Sequence, residues 1–260
     1  MKSVNARVIA HYVAAVLLAA FGYAGIPVIC YSLWPHMPLL AGYVVNAVGQ
    51  VFLFAVPALL ILTAHKGLWQ RFGQRLKKPT VDTVGFCMLG AVGATVVVSL
   101  IVVMWEPYAE SIFGPTAESL PLPTPQNAAE WLLSLLCVAV IPAICEELFF
   151  RGLLQTALSA RFQRAALWVV AIGFAALHGE IASFPSLVLV AWTLGMLLEK
   201  RGLIAGMIFH AVYNAVILVL SMAGSGVGLM GLMLSALAYV FSVRMLKKEE
   251  IENATDGTGL

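Results

Sequence analysis

Six side chains capable of chemistry stand within or beside apolar stretches in the second half of this chain. They comprise two carboxylates, one guanidinium, two imidazoles and one amide: Glu146, Glu147, Arg151, His178, His210 and Asn214. A charged side chain at the centre of a membrane helix costs roughly 2.5–3.5 kcal/mol on insertion scales, so an ionisable residue there is by default a functional-site hypothesis. The set therefore predicts a functional site.

The two glutamates differ in what helical geometry offers them. Glu147 and Arg151 are four residues apart with the carboxylate on the N-terminal side, the favourable arrangement for an ion pair on one helix face. Glu146 lies about 100° around the same helix and has no partner in its own segment, which suits a general base or acid. An alternative interpretation is that all three form one buried polar cluster that holds helices together.

Depth along the helices predicts that four of the groups converge. If the turn after this helix centres near Phe162, Glu146 lies 16 residues before the turn and His178 lies 16 residues after it. Both then stand about 24 Å along antiparallel helices, at ~1.5 Å per residue. His210 and Asn214 are four residues apart and share a face of a later helix, at about 14 and 20 Å from its preceding turn.

The chemistry of these groups is complementary. A carboxylate and an imidazole can together hold and deprotonate a water molecule, which then attacks a carbonyl carbon. A second imidazole and an amide N–H can donate to the oxyanion that develops. This combination predicts hydrolysis of an amide bond by water, without a covalent intermediate.

A zinc site is the competing chemical interpretation. Either glutamate together with His178 and His210 would supply the three protein ligands of a catalytic zinc, although no HExxH motif is present. The chain also lacks a GxSxG nucleophile motif and has no aspartate in the core of a predicted span, which disfavours serine and aspartyl mechanisms.

The elements that position these groups are predicted to be membrane-spanning helices. Apolar residues make up 61% of the 260 residues, charged residues only 11%, and the mean hydropathy is +0.94, whereas a soluble domain has about 25% charged residues. Continuous apolar runs of about 20 residues span a bilayer as helices. We predict an all-α polytopic protein with about eight spans, at 8–33, 38–64, 81–105, 129–158, 164–183, 185–199, 203–222 and 226–245.

Charge supports this count and predicts that both termini are cytoplasmic. With that orientation every Lys and Arg except Arg151 falls in an inner segment, while the outer segments carry glutamates, as the positive-inside rule requires. The first apolar run, of about 25 residues, exceeds the 7–15 of a cleaved signal core, so we expect it to be retained.

The chain divides into three predicted regions. Residues 1–128 contain the first three helices, 129–222 form the catalytic core, and 223–260 contain the last helix and a polar tail. The basic inner loop 65–80 is predicted to lie against anionic lipid headgroups, and the prolines of the outer loop 106–128 are predicted to exclude regular helix. We expect the bilayer and a peptide or membrane-protein substrate as partners, and no nucleic acid.

Three short motifs resemble those of a known family. The segment EELFFR, from Glu146 to Arg151, resembles the EExxxR motif of the CAAX-prenyl-protease and bacteriocin-processing (CPBP, or Abi) family of intramembrane proteases. FAALH, which ends at His178, resembles the FxxxH motif of this family, and HAVYN, from His210 to Asn214, resembles its HxxxN motif. The motifs occur in the order of the family, and the resemblance covers roughly 129–222.

The resemblance implies a glutamate intramembrane endopeptidase that works without a metal cofactor. By motif position, Glu146 would activate water together with His178, and His210 with Asn214 would form the oxyanion site. Glu147 and Arg151 would be the supporting pair. Eukaryotic members cleave prenylated CAAX proteins, and bacterial relatives serve peptide maturation, bacteriocin immunity or regulation. A bacterial inner membrane is the expected location, because the compact sequence shows no retention or transit signal.

Two hypotheses from other classes compete with a protease. One is a non-catalytic immunity or scaffold protein that binds a peptide or a membrane partner. The other is a proton-coupled transporter that uses Glu146 and the histidines as a relay, which the lack of an internal inverted repeat disfavours. Glu180, two residues past His178, is predicted to be an outer-loop residue outside the site.

Overall fold

A computed structural model of the chain is helical throughout its described part, which comprises residues 37–115 and 125–223, scattered positions between 14 and 34, and residue 240. The predicted all-α class is confirmed. Between residues 39 and 223 the described residues form seven helices: α1 (Leu39–Gln50, Val51–Ala55 and Val56–Ala64), α2 (Lys66–Arg75), α3 (Val81–Phe113), α4 (Ala128–Ser134, Leu135–Val140, Ile141–Glu147, Leu148–Gln155 and Thr156–Phe162), α5 (Arg164–His178), α6 (Phe184–Arg201) and α7 (Leu203–Ala223).

Four of the predicted spans coincide with described helices that are long and apolar enough to cross a membrane. These are Ala41–Ala64, Val81–Phe113, Ala128–Phe162 and Leu203–Ser221. Helix α5 is apolar but has only 15 residues. Helix α6 forms at the predicted place but is not among the helices that are both long and apolar enough to span a membrane. The predicted first span is described only in part, and the predicted eighth span, 226–245, lies outside the described residues except for Val240.

Helix α3 extends further than its sequence predicts. It continues through Pro107 to Phe113, so the prediction that prolines exclude helix from 106 onward was wrong for 106–113. A 33-residue helix is about 50 Å long and exceeds the ~30 Å hydrocarbon core. A helix of this length is long enough to extend into the polar headgroup layer. Val103 is exposed, so water there can hydrogen-bond its carbonyl, which the ring of Pro107 leaves without its helical partner.

Three wide π-helical turns interrupt the α-helices beside the predicted site. They occupy Val51–Ala55 in α1, and Leu135–Val140 and Leu148–Gln155 in α4. The first two are each followed two residues later by a proline, Pro57 and Pro142. A proline has no N–H for the regular bonding pattern, and a local wide turn accommodates that loss. The two π turns of α4 flank the glutamate pair.

An aromatic cluster joins α1, α4 and α5 next to these turns. Phe54 packs edge-to-face on Phe149 at 5.4 Å between ring centroids, Phe149 packs on Phe150 at 5.2 Å, and Phe150 packs on Phe174 at 5.0 Å. All four side chains are buried. Such contacts add to the effect of apolar burial and favour one relative orientation of the rings, so the cluster fixes α1 and α5 against the helix that carries the glutamates.

The basic segment 65–80 contains a short helix, α2, that packs on α4 and α6. Leu68 and Phe72 are buried, and Phe72 lies so close to Gly152 that a β-carbon there would stand 3.0 Å from its ring. At the end of α2, Arg75 forms an ion pair with Glu199 of α6 at 2.7 Å. One face of α2 therefore packs on the protein, and contact of its other face with anionic headgroups stays a prediction.

Candidate active site

The ion pair predicted from the four-residue spacing is present in α4. Arg151 Nη1 donates to Glu147 Oε1 at 2.9 Å, and both side chains have 0% exposure. Arg151 Nη2 also donates to the backbone carbonyl of Ala191 in α6 at 2.9 Å, and its guanidinium lies 4.8 Å from the centroid of the Phe174 ring. A buried ion pair is tolerated only when further contacts of this kind offset desolvation.

His210 connects the two glutamates. Its Nδ1 lies 3.0 Å from Glu147 Oε1, the oxygen that also accepts from Arg151, and its Nε2 lies 3.8 Å from Glu146 Oε2. Because an ionised carboxylate only accepts hydrogen bonds, Nδ1 is the donor to Glu147 and Nε2 is the nitrogen turned toward Glu146. The sequence analysis did not predict the contact between Glu147 and His210. Depth along a helix places residues in one layer but does not fix the direction in which each helix face turns.

Glu146 has a hydrogen-bond partner that the sequence analysis missed. Gln50 Nε2, on α1, donates to Glu146 Oε1 at 3.0 Å, and both residues are 4% exposed. The available signal was one of two amide side chains, Asn46 and Gln50, in a largely apolar span. Unlike Asn214, which follows His210 at helical spacing, Gln50 has no ionisable side chain near it in sequence to mark it as a site residue.

His178 is the last residue of α5, which ends five positions before the predicted end of that span at 183. Gly179 follows in the left-handed conformation, with φ at 70°, a common way to end a helix. His178 Nδ1 lies 2.9 Å from the carbonyl oxygen of Phe174, so Nδ1 carries the proton and Nε2 is the acceptor nitrogen. The histidine is half-buried.

Phe174 contacts both His178 and the buried polar group. The two rings have centroids 4.5 Å apart, and the centroid of Phe174 lies 5.9 Å from that of His210. Phe174 thus contacts both histidines as well as Arg151. Asn214 lies one turn beyond His210 on α7 and is half-buried, and no described residue hydrogen-bonds its side chain.

Two other interpretations of the sequence concern the location of Glu180 and the alternative of a zinc site. Glu180 is exposed in the connection between α5 and α6, as predicted, and accepts a hydrogen bond from Ser183 Oγ at 2.6 Å. Among the described residues there is no group of three or more His, Cys, Asp or Glu side chains arranged to hold a metal ion.

A ladder of polar contacts continues from the ion pair along α4 and α6. Four residues after Arg151, the buried Gln155 donates to the carbonyl of Gly195 at 3.1 Å and to Glu199 Oε1 at 3.2 Å. The carbonyl acceptors, Ala191 and Gly195, are also four residues apart. The two helices are therefore held in one register from the site down to the ion pair at the end of α2.

Gly206 of α7 allows the close approach of this helix to Glu147. A β-carbon at Gly206 would stand 3.1 Å from Glu147 Oε2 and 3.9 Å from the carbonyl oxygen of Leu194.

We expect Gly206→Ala to displace the Glu147 carboxylate and to destabilise the protein by about 1–3 kcal/mol, as overpacking of a core does. Thermal unfolding in detergent measures this. Gly173→Ala is the matched control, because nothing lies within 4 Å of its β-carbon position; an equal loss in both variants would contradict the prediction.

Comparison with known proteins addresses the same part of the chain. A family model for the type II CAAX prenyl endopeptidases, Rce1-like, matches residues 128–216. The matched segment contains all six site residues that the sequence predicts and leaves Gln50 outside. A search of curated proteins found no match to the chain. With four helices of membrane-spanning length among its described residues, this is an integral membrane protein that carries, at residues 128–216, a segment matching the Rce1-like type II CAAX prenyl endopeptidases, a family of proteases.

Proposed function

We propose that this protein is an intramembrane endopeptidase that hydrolyses a peptide bond of a membrane-associated protein or peptide. The observation that carries the proposal is the buried contact set of Glu146, Glu147, Arg151 and His210, in which two carboxylates flank one imidazole. This set lies within the segment that matches a protease family.

In the proposed reaction Glu146 is the general base, assisted by His178. Glu146 takes a proton from a water molecule as the water oxygen attacks the scissile carbonyl carbon. His178 presents its acceptor nitrogen Nε2 to the same water, since its Nδ1 is bonded to a backbone carbonyl. When the C–N bond breaks, Glu146 returns the proton to the leaving amine nitrogen. No covalent enzyme intermediate forms.

His210 and Asn214 are the proposed oxyanion site. Glu147 accepts a hydrogen bond from His210 Nδ1 and so fixes the ring with Nε2 turned toward Glu146. With a proton on each nitrogen, His210 donates from Nδ1 to Glu147 and from Nε2 to the oxyanion, and the Asn214 amide supplies a second donor. Donors fixed in advance in a buried site stabilise such an oxyanion strongly.

A prenylated peptide is the first probe of this function. Purified protein in lipid vesicles is incubated with a quenched fluorescent peptide that ends in a farnesylated CAAX sequence, and in parallel with its unprenylated counterpart. We expect cleavage, and we expect Glu146→Gln to slow it by at least about 100-fold. Because the natural substrate can differ from this probe, the peptides of membranes that contain wild-type protein or Glu146→Ala are also compared. The protease proposal is wrong if neither probe is cleaved and the two peptide sets are identical.

The proposed mechanism uses no metal cofactor. We expect the cleavage rate to remain within about twofold of its starting value after dialysis against a strong chelator, because water activation here rests on Glu146 and His178. The same cleavage assay measures this. A loss of activity that added zinc restores would favour the zinc-dependent version of the same protease.

A further inference from the structure

Gln50 reaches the proposed active site from outside the segment that matches the protease family. It lies 96 residues before Glu146 and donates from Nε2 to Glu146 Oε1 at 3.0 Å. Both side chains are almost completely buried. An uncharged amide in an apolar helix is costly to bury unless it is hydrogen-bonded. The position of the Gln50 amide against a carboxylate therefore indicates a specific role for this hydrogen bond.

One face of α1 docks along α4 through contacts at four-residue intervals. Asn46 Nδ2 donates to the carbonyl of Cys137 at 3.1 Å, Gln50 follows, and Phe54 packs on Phe149 at 5.4 Å. The first and last of these contacts involve a backbone group and an apolar ring. Gln50 is the member of this row that touches a side chain proposed to react.

The bond from Gln50 makes the two oxygens of Glu146 different. Oε1 accepts from the amide, whereas Oε2 lies 3.8 Å from His210 Nε2. Without a donor at Oε1 the carboxylate could rotate about its last torsion, which is a soft one. With the donor in place, Oε2 is the oxygen that faces the proposed oxyanion site, so a water bound there stands next to the position of the scissile carbonyl.

The amide oxygen of Gln50, unlike its nitrogen, does not bond a side chain of the proposed site. This atom, Oε1, is buried without a hydrogen-bond partner in the described part of the chain, and a buried unsatisfied acceptor is unfavourable. An apolar residue of similar length would avoid that penalty. The amide at this position is therefore better explained by its N–H donor to Glu146 than by packing alone.

We infer that Gln50 is a positioning residue of the proposed protease, which orients the Glu146 carboxylate toward water and His210. This inference rests on the proposed function of Glu146. It also means that the site is incomplete without α1, although α1 lies outside residues 128–216.

The test is Gln50→Met, which keeps the side-chain length and removes the donor. With the farnesylated peptide we expect kcat to fall by roughly 10- to 100-fold, as misplacement of a reacting group by about 1 Å does, with KM within about twofold of wild type. Asn46→Leu is the matched control, because it removes a hydrogen bond of the same helix face to α4 without touching Glu146. We expect its kcat to remain near the wild-type value.

A second measurement isolates the contact from catalysis. Gln50→Met should lower Tm in the wild-type background, where it leaves a buried carboxylate without its donor, and should have little effect in a Glu146→Met background. Equal Tm losses in both backgrounds, or a wild-type kcat in Gln50→Met, would overturn the inference while the protease proposal stands. If wild-type protein cleaves no peptide at all, the proposed function fails, and the positioning role fails with it even where the Tm coupling is found.

Discussion

Glu146→Gln is expected to lower the rate of peptide cleavage by on the order of 10²–10⁴-fold, the usual contribution of a general base. Glutamine has the volume of glutamate and can still hydrogen-bond with Gln50, whose amide offers both a donor and an acceptor. It cannot accept a proton from water. The change therefore removes the proposed chemistry with little change in packing, and single-turnover cleavage of the fluorescent peptide measures it.

Glu180→Gln is the control for this substitution. It makes the same chemical change at an exposed carboxylate two residues past His178, and we expect cleavage at the wild-type rate. The Glu146→Gln protein should also insert into membranes and unfold near the wild-type temperature. Hydrolysis by Glu146→Gln at a rate close to that of wild type would exclude Glu146 as the base and remove the proposed mechanism.

Local geometry accounts for the part of the site that the sequence predicted well. The pair of Glu147 and Arg151 follows from a four-residue spacing within one helix, which holds whatever surrounds the helix. The contacts of Glu147 with His210 and of Glu146 with Gln50 join residues 63 and 96 positions apart. Depth arithmetic can bring such residues to one layer, but the direction in which each helix face turns depends on packing between helices.

The fold was predictable to a similar extent. Long apolar runs located the helices because a membrane helix must satisfy its own backbone hydrogen bonds. The ends were less predictable: α5 stops at His178, where Gly179 takes the left-handed conformation, and α3 continues through Pro107. The π turns beside the glutamates leave no periodic trace in an apolar sequence, although Pro57 and Pro142 mark two of them in retrospect.

The early end of α5 has a consequence for access to the site. A histidine in the middle of a span would be enclosed by neighbouring helix turns, whereas His178 closes its helix and is half-buried. Glu146 and His210, by contrast, are nearly inaccessible. The proposed water-activating pair therefore combines a buried carboxylate with an imidazole at a helix end, which is the side from which we expect water and the peptide to enter.

Arg151→Met is expected to cause the largest loss of stability of any single substitution proposed for this chain. The guanidinium is fully buried, pairs with Glu147 and bonds the Ala191 carbonyl of α6. Its removal leaves the buried Glu147 carboxylate without a counter-charge, and breaking a buried pair in this way lowers the free energy of unfolding by about 3–5 kcal/mol. Thermal unfolding in detergent measures the loss. Arg75→Met is the matched control, because its pair with Glu199 is partly exposed at 23% and 39% and such pairs contribute about 0–1 kcal/mol.

The double variant Glu147→Leu/Arg151→Met separates the structural role of the pair from its role in the site. Without a lone buried charge, much of the lost stability should return, because apolar residues of similar volume often replace a buried ion pair at no net cost. Cleavage activity should not return, since His210 Nδ1 then has no carboxylate to fix its ring. Recovery of both properties would mean that Glu147 and Arg151 only hold helices together, and failure to recover either would mean that their geometry itself is needed for the fold.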